Sequence, residues 1–480
     1  MIDILLVNPK ETGGFFEKMP PLGLAHIAVN LERHGFSVKI VDLEVEDQGL
    51  YYWLSLYQPR FVGISGTSHT RFESFRLAME AKNFNKEIVT IYGGVHATFT
   101  ARDTLKNIKE IDFVVRGEGE KTTVELLNCF RDSKKIENVR GISYRDNSEV
   151  IENQPTERIK SLDSLGMPAY HLLNMTKYYV PMEFVSKNGI SLITSRGCLY
   201  KCSFCSASRM FNYEVTTRSA KNVVDEIEFL FKNYGFQGIK VFDSTLTIKR
   251  QHIDSLCDEI VRRDLDFPWE CEIKVGTVDR KLLEKMKHAG CYYVNFGIES
   301  ASQKVLNLMR KGMAIEQAEK LLELCNGVGM KTKVFFSFGH IGETMDDVEE
   351  TFAFIDKHQH QITAVASGAG VRIYPGTYLE MYARKNEFLP HNFEWSLPYH
   401  DKRLEAILQA GCVPVLIQPR LGFDELEEIA LRIFGRRFRG WKGFKMGIKK
   451  ITDMGKLKKL IRLLKLRFKN VLRKRRHTAI

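Results

Sequence analysis

Cys198-Leu199-Tyr200-Lys201-Cys202-Ser203-Phe204-Cys205 places three thiols in eight residues, with the spacing C-x3-C-x2-C. The stretch follows an apolar run, Ile190–Thr194, and a turn, Ser195-Arg196-Gly197. Three thiolates this close together reach three corners of one iron–sulfur cubane. No fourth cysteine follows at a regular spacing, so one iron is left open for an outside ligand. A structural zinc site would need a fourth protein ligand, usually from a second paired motif. The nearest histidine in sequence, His171, lies before the strand. A chance cluster of thiols in an exposed turn would oxidise readily. Cys198, Cys202 and Cys205 are therefore read as the metal ligands.

The other six of the nine cysteines, Cys129, Cys257, Cys271, Cys291, Cys325 and Cys412, are isolated among apolar or helical neighbours. They read as buried small hydrophobes. An odd count at irregular spacing argues against a disulfide framework.

Working outward, short β-branched runs alternate with helical stretches on both sides of the motif. Downstream, strands are predicted at Ile190–Thr194, Ile239–Phe242, Glu270–Val275, Tyr292–Phe296, Lys333–Phe338 and Val365–Ile373. Helices are predicted at Val223–Tyr234, His252–Arg263, Arg280–His288, Ser302–Met309, Ile315–Val328 and Met345–Lys357. Six βα units of this length predict a partial parallel barrel over residues 190–385. Upstream, Ile4–Val7, Val38–Val41, Phe61–Ile64, Ile88–Ile91 and Phe113–Val115 predict a parallel sheet with helices on both faces over residues 1–145. Ligands of such sheets sit at the carboxyl ends of the strands. There lie Ser65-Gly66-Thr67-Ser68, Gly93-Gly94-Val95-His96 and Arg116-Gly117-Glu118-Gly119-Glu120, which read either as ligand-binding turns or as plain strand-to-helix turns. Residues 146–189, with Pro155, Pro168 and Pro181, read as a linker running across both neighbours.

Composition bounds the alternatives. The chain has 480 residues, 44% hydrophobic and 27% charged, an ordinary globular mixture that excludes a disordered or collagen-like protein. No apolar run is long enough for a transmembrane helix. Met1-Ile2-Asp3-Ile4-Leu5-Leu6-Val7 reads as a first strand rather than a signal peptide, so a cytoplasmic location is expected. The net charge of +12 belongs to the C-terminal region. From Arg432 onward there are 19 Lys/Arg against one acid, Asp453, which leaves the rest of the chain at −6. The body therefore carries no basic surplus to mark it as a nucleic-acid binder.

The C-x3-C-x-aromatic-C motif resembles that of the radical S-adenosylmethionine (SAM) enzymes. Arg196-Gly197-Cys198 through Ser206 matches the subgroup with an N-terminal cobalamin-binding domain, and Arg116-Gly117-Glu118-Gly119-Glu120 resembles the last βα turn of that domain. Ala289-Gly290-Cys291, Phe296-Gly297-Ile298-Glu299-Ser300, Gly339-His340-Ile341-Gly342-Glu343-Thr344 and Tyr374-Pro375-Gly376-Thr377 resemble the middle and later strand ends of the barrel. The match covers roughly residues 1–385 in order.

The resemblance implies an α/β protein. A flavodoxin-like (Rossmann-like) cobalamin domain precedes a partial (β/α)6 radical SAM barrel and a helical, basic C-terminal region over residues 386–480, with a helix at Asp424–Phe434. It implies a [4Fe–4S] cluster on the triad, SAM on the open iron, and reductive cleavage of SAM to a 5′-deoxyadenosyl radical. The cofactors carry that chemistry and the protein positions them. By the same resemblance Phe204 shields the cluster and touches adenine, and Glu299 accepts from the SAM ribose. Gly339 and Gly342 lie against adenine and the methionine part. Ser244 and Thr245, after Asp243, face the same cavity. Lys274 stands where relatives often carry arginine, keeping the charge but not the planar fork.

Cobalamin is the third expected cofactor, although the D-x-H-x-x-G pattern of one cobalamin family is absent. Ser65, Thr67, Gly93, Gly94, Gly117 and Glu118 are the candidates to surround its nucleotide tail. His69 and His96 are either polar contacts to it or structural histidines.

Lys456–Arg476 carries 11 Lys/Arg and no acid, with Leu457, Leu460, Ile461, Leu464, Phe468, Val471 and Leu472 at helical spacing. Trp441, Phe444, Ile448 and Ile451 extend that spacing upstream. Such a helix suits either an anionic membrane surface or docking on the barrel. No zinc finger or RNA-binding signature supports a nucleic-acid partner. The expected activity is cobalamin-dependent methylation of an unactivated carbon, on a small molecule, lipid or isoprenoid, with a ferredoxin or flavodoxin as electron donor. The alternatives are a radical cyclase or carbon–carbon coupling enzyme, and a non-catalytic cobalamin or iron–sulfur sensor. A methylthiotransferase fits less well, because that family adds N-terminal cysteines and a C-terminal β-barrel.

Overall fold

The computed structural model describes residues 1–11, 18–182, 184–185, 187–404 and 411–436. The expected basic helix at Lys456–Arg476, with its upstream extension, lies outside the described residues.

The N-terminal domain alternates β1 (Ile2–Asn8), α1 (Leu22–Arg33), β2 (Val38–Asp42), α2 (Leu50–Tyr57), β3 (Pro59–Ser65), α3 (Arg71–Phe84), β4 (Val89–Gly93), α4 (Val95–Asn107), β5 (Phe113–Val115) and α5 (Gly119–Asp132). The strands run parallel in the order β2-β1-β3-β4-β5. This is the flavodoxin-like order, and it reverses between β1 and β3, where such sheets bind ligands. Ile4 and Leu6 of β1 pack toward α1 and α5, whereas Leu5 and Val7 pack toward α2, α3 and α4. Burial on both faces is why β1 reads as a continuous apolar run rather than an alternating one.

Two more strands, β6 (Ile142–Asp146) and β7 (Glu149–Glu152), extend this sheet antiparallel beyond β5. The boundary expected at residue 145 therefore falls inside β6. Asp146-Asn147-Ser148, which reads as the start of a linker, is the turn of this hairpin. The chain that follows is pinned to both domains. The Ala169 N–H donates to Ala25 O at 3.1 Å, and Arg33 donates to Leu165 O at 2.8 Å. Tyr178 donates its hydroxyl to Asp42 at 2.8 Å, and Tyr170 donates to Glu226 of the second domain.

The second domain contains β8 (Val180–Pro181), β9 (Asn188–Leu192), β10 (Ser195–Arg196), α6 (Ala207–Met210), β11 (Thr216–Thr217), α7 (Ala220–Tyr234), β12 (Gly238–Val241), α8 (Arg250–Arg262), β13 (Trp269–Glu272), α9 (Arg280–His288), β14 (Cys291–Glu299), α10 (Gln303–Leu308), α11 (Ile315–Val328), β15 (Lys331–Phe338), α12 (Met345–Lys357), β16 (Ala364–Ala369), α13 (Tyr378–Lys385) and α14 (Phe423–Arg436). Six strands, β9 and β12 to β16, run parallel in sequential order, with β8 antiparallel at one edge. The sheet stays open between β8 and β16, which makes it a partial barrel. Side-chain oxygens begin three of its helices: Ser219 accepts the Asn222 N–H before α7, Asp279 the Leu282 N–H before α9, and Thr377 the Glu380 N–H before α13. Val294, Phe296 and Ile298 of β14 pack outward against helices, as do Val334, Phe336 and Phe338 of β15. Strand alternation then turns Asn295, Glu299, Lys333 and Ser337 toward the barrel interior.

The predicted strand Val365–Ile373 divides in two. Residues 364–369 pair with β15, whereas Ile373 N–H donates to Pro414 O and Leu416 N–H to Val371 O. The returning chain covers this edge, and α14 closes it, with Arg432 and Arg436 paired to Glu349 and Asp356 at 2.8 Å. Among the described residues no helix is long and apolar enough to cross a membrane.

Candidate active site

Asp243, just after β12, sets the entry to the cysteine loop. Its carboxylate accepts the Thr194 N–H and hydroxyl at 2.7 and 2.6 Å, and the Ser195 N–H and hydroxyl at 3.1 and 2.6 Å. β10 then pairs with β11, and Gly197 turns the chain at φ +101°, where a Cβ would lie 2.0 Å from Glu214 O. The loop is tied at its middle as well. The Ser203 N–H donates to Met309 O and the Leu379 N–H donates to Ser203 O, both at 2.8 Å.

All three cysteines are free and partly exposed. Burial pushes the Cys198 and Cys205 thiols up, while the N–H groups of Tyr200 and Ala207 act in the opposite direction. Among the described residues no three His, Cys, Asp or Glu side chains converge to hold a single metal ion. Thiolates of a zinc site all lie within about 2.3 Å of one ion. Those of a cubane bind different irons, and three thiols on one short loop can supply three of its corners.

Beside the loop lies a buried ion pair. Lys311, after α10, donates to Glu299 Oε1 at 2.9 Å, and Ser337 donates to Glu299 Oε2 at 2.7 Å. Burial alone would raise the Glu299 carboxyl, but Lys311 and Ser337 hold it below its ordinary value. Each oxygen keeps a further acceptor position, so the carboxylate fits the ribose hydroxyls of SAM. Phe204 packs here, its ring 5.8 Å from Lys311 Nζ and 5.4 Å from the His340 ring. Lys274 lies over the Tyr200 ring at 4.2 Å and donates to Lys311 O at 3.0 Å. Burial, then repulsion from Lys311, lowers its ammonium to about 8.

Gly339 and Gly342 form the turn between β15 and α12. Their N–H groups are taken, by Glu343 at 2.5 Å and by Gln418 at 3.0 Å, so the turn presents bare Cα faces rather than donors. Burial raises the Glu343 carboxyl to about 7, against the His340 and Gly339 N–H groups.

A cavity of about 300 Å³ opens between the two domains. Its base is apolar, with Ile4, Leu6, Ile27, Ile91 and Val115 between the sheet and α1. Its rim holds Ser65, Gly93, Gly94, Gly117 and Glu118 from one domain, and Ser195, Arg196, Gly197, Phe242 and Ser244 from the other. Ligand pockets run from about 300 to 1,000 Å³, so this one suits the nucleotide arm of a cobalamin rather than the whole group. Two buried lining atoms, His26 Nδ1 and Glu120 Oε2, have no hydrogen-bond partner among the described residues, which leaves polar contacts for an occupant. The residues present therefore fit the group.

The expected residues thus fall in two places. Phe204, Lys274, Glu299, Gly339 and Gly342 surround the cysteine loop. Ser244 joins the cavity rim instead, with five of the six cobalamin candidates. Thr67 does not line that cavity. It is exposed, and its hydroxyl accepts from the His69 and Thr70 N–H groups in the turn before α3. Glu118 lines the cavity, but its carboxylate is engaged by Arg158 and Arg196. His96 is buried, its Nδ1 bonded to Ser68 at 2.9 Å, and His69 bonds Tyr374 at 3.0 Å; neither lines the cavity. Sequence reading missed Lys311, Ser337, Gln418 and His26. Each is placed by contacts between distant segments, and none stands out by spacing.

One more group faces the barrel interior. Glu272 ends β13, and burial, opposed by Lys240, raises its carboxyl to about 7. Asn295 pairs with it in register, and Phe335 and Phe242 add apolar surface on the neighbouring strand and loop.

Comparison with known proteins agrees with this geometry. Residues 192–355 match the radical SAM superfamily model, and residues 15–127 match the B12 binding domain model. The chain is 33% identical to an uncharacterized methyltransferase of Pyrococcus horikoshii over 81% of this chain and 84% of that one. It is 30% identical to the anaerobic magnesium-protoporphyrin IX monomethyl ester cyclase of Rubrivivax gelatinosus, over 73% of this chain and 64% of that one. Among solved structures, the radical SAM methyltransferase TsrM of Kitasatospora setae superposes with a TM-score of 0.67, at 22% identity over 80% of this chain and 76% of that one. Cysteine loop, partial barrel and cobalamin-type domain thus occur together in one chain, which belongs to the radical SAM superfamily, in the subgroup with an N-terminal B12-binding domain, whose cofactors are a [4Fe–4S] cluster, SAM and cobalamin.

Proposed function

We propose that the protein is a cobalamin-dependent radical SAM methyltransferase acting on an unactivated carbon. One observation carries this reading: the interdomain cavity is lined at once by the strand-end turns of the cobalamin domain and by the turn that enters the cysteine loop. The bound cofactors supply a methyl donor on one side and a radical abstracting hydrogen on the other. The protein's own part is placement. Cys198, Cys202 and Cys205 hold the cluster. Glu299, oriented by Lys311 and Ser337, holds the SAM ribose, and Phe204 covers the adenine side. Ser65, Gly93, Gly94 and Gly117 receive the cobalamin. Fixing the reactants in one geometry removes much of the entropic barrier to their encounter.

For the substrate we propose an amphiphilic lipid or isoprenoid. Phe242 and Phe335 offer hydrocarbon contact, while Glu272 and Asn295 offer acceptors and donors to a polar end. A ferredoxin or flavodoxin is the proposed reductant, and peripheral contact with an anionic membrane through the basic C-terminal sequence is the proposed location.

The test is product analysis with SAM carrying a trideuterated methyl group. Methylation predicts a substrate heavier by the labelled methyl, with S-adenosylhomocysteine and 5′-deoxyadenosine formed in equal amounts. The 30% identity to a cyclase keeps a second reading, radical cyclisation or carbon–carbon coupling. It predicts 5′-deoxyadenosine without S-adenosylhomocysteine, and that outcome would displace methylation. A protein that binds its cofactors but forms neither product would be a sensor.

A further inference from the structure

Arg196 lies two residues before the first cluster cysteine, yet its guanidinium leaves the barrel altogether. One terminal nitrogen donates to Glu118 at 2.9 Å and the other to Glu120 at 2.5 Å. All three side chains are at least 86% buried, at 14%, 4% and 4% exposure. Glu118 also pairs with the Arg158 charge and accepts from the Ile159 N–H at 2.9 Å. Arg158 returns to the barrel, stacking on Phe211 at 4.6 Å and donating to Thr216, the partner of Arg196 across β10 and β11. Two acids of the cobalamin domain are thus locked to the strand that delivers the cysteine loop.

The same network faces the cavity. Arg196, Glu118 and Glu120 all line it, together with His26. Burial, with the Arg196 and Arg218 charges, keeps His26 neutral. Glu120 spends Oε1 on Arg196, while its buried Oε2 and the buried Nδ1 of His26 lack partners among the described residues. An occupant whose amide groups donate to Glu120 would fix the acid that holds Arg196. Arg196 in turn is joined to Cys198 through Gly197, at φ +101° and packed so closely on Glu214 O that no side chain fits there.

We propose that Arg196 is a positioning residue that couples the two cofactor sites, so that cobalamin in the cavity tightens SAM binding at the cluster. The proposal rests on the cavity holding cobalamin. Coupling of this kind is reciprocal: each ligand changes the other's affinity by the same factor.

The test uses the full chain with its cluster reconstituted anaerobically. SAM dissociation constants are measured with and without hydroxocobalamin, and hydroxocobalamin constants with and without SAM. The wild type is expected to give the same factor in both directions, about fivefold or more. In Arg196→Gln both ligands still bind, but the factor falls to about one. Glu120→Leu, remote from the cysteines, tests the same link if the Arg196 variant fails to hold its cluster, and its factor falls likewise. A wild-type factor of one, or an unchanged factor in the variants, would overturn the coupling while leaving the cavity assignment intact. Failure of the wild type to bind hydroxocobalamin at all would remove the cavity assignment, and the coupling with it.

Discussion

Lys311 is a lysine with 8% exposure whose charge is met by one carboxylate. Removing one partner of a buried ion pair leaves an uncompensated charge and costs about 3–5 kcal/mol. Lys311→Met is therefore expected to lower the urea midpoint sharply and to weaken SAM binding, because Glu299 loses its orientation. The double variant Lys311→Met, Glu299→Gln should recover part of the stability but none of the SAM affinity. Full additivity of the two losses would deny the pairing. The pH dependence has a definite sign. The folded Glu299 carboxyl sits below its ordinary value of 4.5, so its contribution is present above that pH and fades as pH falls through the folded value. Wild-type stability should drop on acidification below about pH 4.5, and the Lys311→Met protein should lack that step. At the cluster itself, Cys202→Ala should leave the fold standing and abolish iron loading and 5′-deoxyadenosine formation. Residual 5′-deoxyadenosine would remove the triad from its role.

The turns between elements carry the cofactor contacts, and a backbone probe separates them. Gly94 opens α4 at φ +104°, and a Cβ there would lie 2.7 Å from Gly66 O, in the neighbouring strand-end turn. Gly94→Ala should push these two turns apart, cost about 1–3 kcal/mol, and reduce hydroxocobalamin uptake at unchanged iron content. Parallel loss of iron would mean that the substitution acts on the whole fold. Much of the element order was readable in advance because buried parallel strands are written as apolar runs: Phe113–Val115 needs only three residues to declare itself. The ends were harder to read. Val371 and Ile373 continue the pattern of β16, yet their partners are Pro414 to Leu416, some forty positions away, and nothing local marks the change. Similarly, the Cys-x3-Cys-x2-Cys spacing displays the triad outright, while Asp243, which shapes its entrance, reads as an ordinary strand-end acid. Ser244 beside it lines the cavity, a placement set by how two domains meet.

At the scale of the whole molecule the two domains are held together from the side opposite the linker. Arg71, at the start of α3, has no exposed surface and no carboxylate within hydrogen-bond reach among the described residues. It donates to the main-chain oxygens of Ser68, Trp395 at 2.9 Å and Cys412 at 2.6 Å. The last two stand more than 320 residues away, which is why no sequence pattern announces them. Neighbouring contacts reinforce the seam: Asp103 accepts the Trp395 and Ser396 N–H groups at 2.6 and 3.0 Å, and Lys106 pairs with Glu394 at 2.8 Å. A guanidinium stays charged even in this setting, because its pKa lies so far above neutrality. Its buried charge is met by carbonyl dipoles, with the Phe72 ring at 4.0 Å and the Asp103 charge adding to them, and the planar fork is what lets it serve several acceptors at once. Lysine keeps the charge but presents a compact ammonium on a flexible stem, which cannot span the same acceptors. Arg71→Lys should therefore cost about 1–3 kcal/mol for each carbonyl left unmet. The loss should be local: amide hydrogen exchange at residues 393–396 and 411–416 should quicken, while β1 and β14, inside their own cores, should keep wild-type protection. If exchange rises evenly across both domains instead, Arg71 supports the fold of the cobalamin domain rather than the seam, and the relative placement of the two cofactor sites must rest on Arg196 and the linker alone.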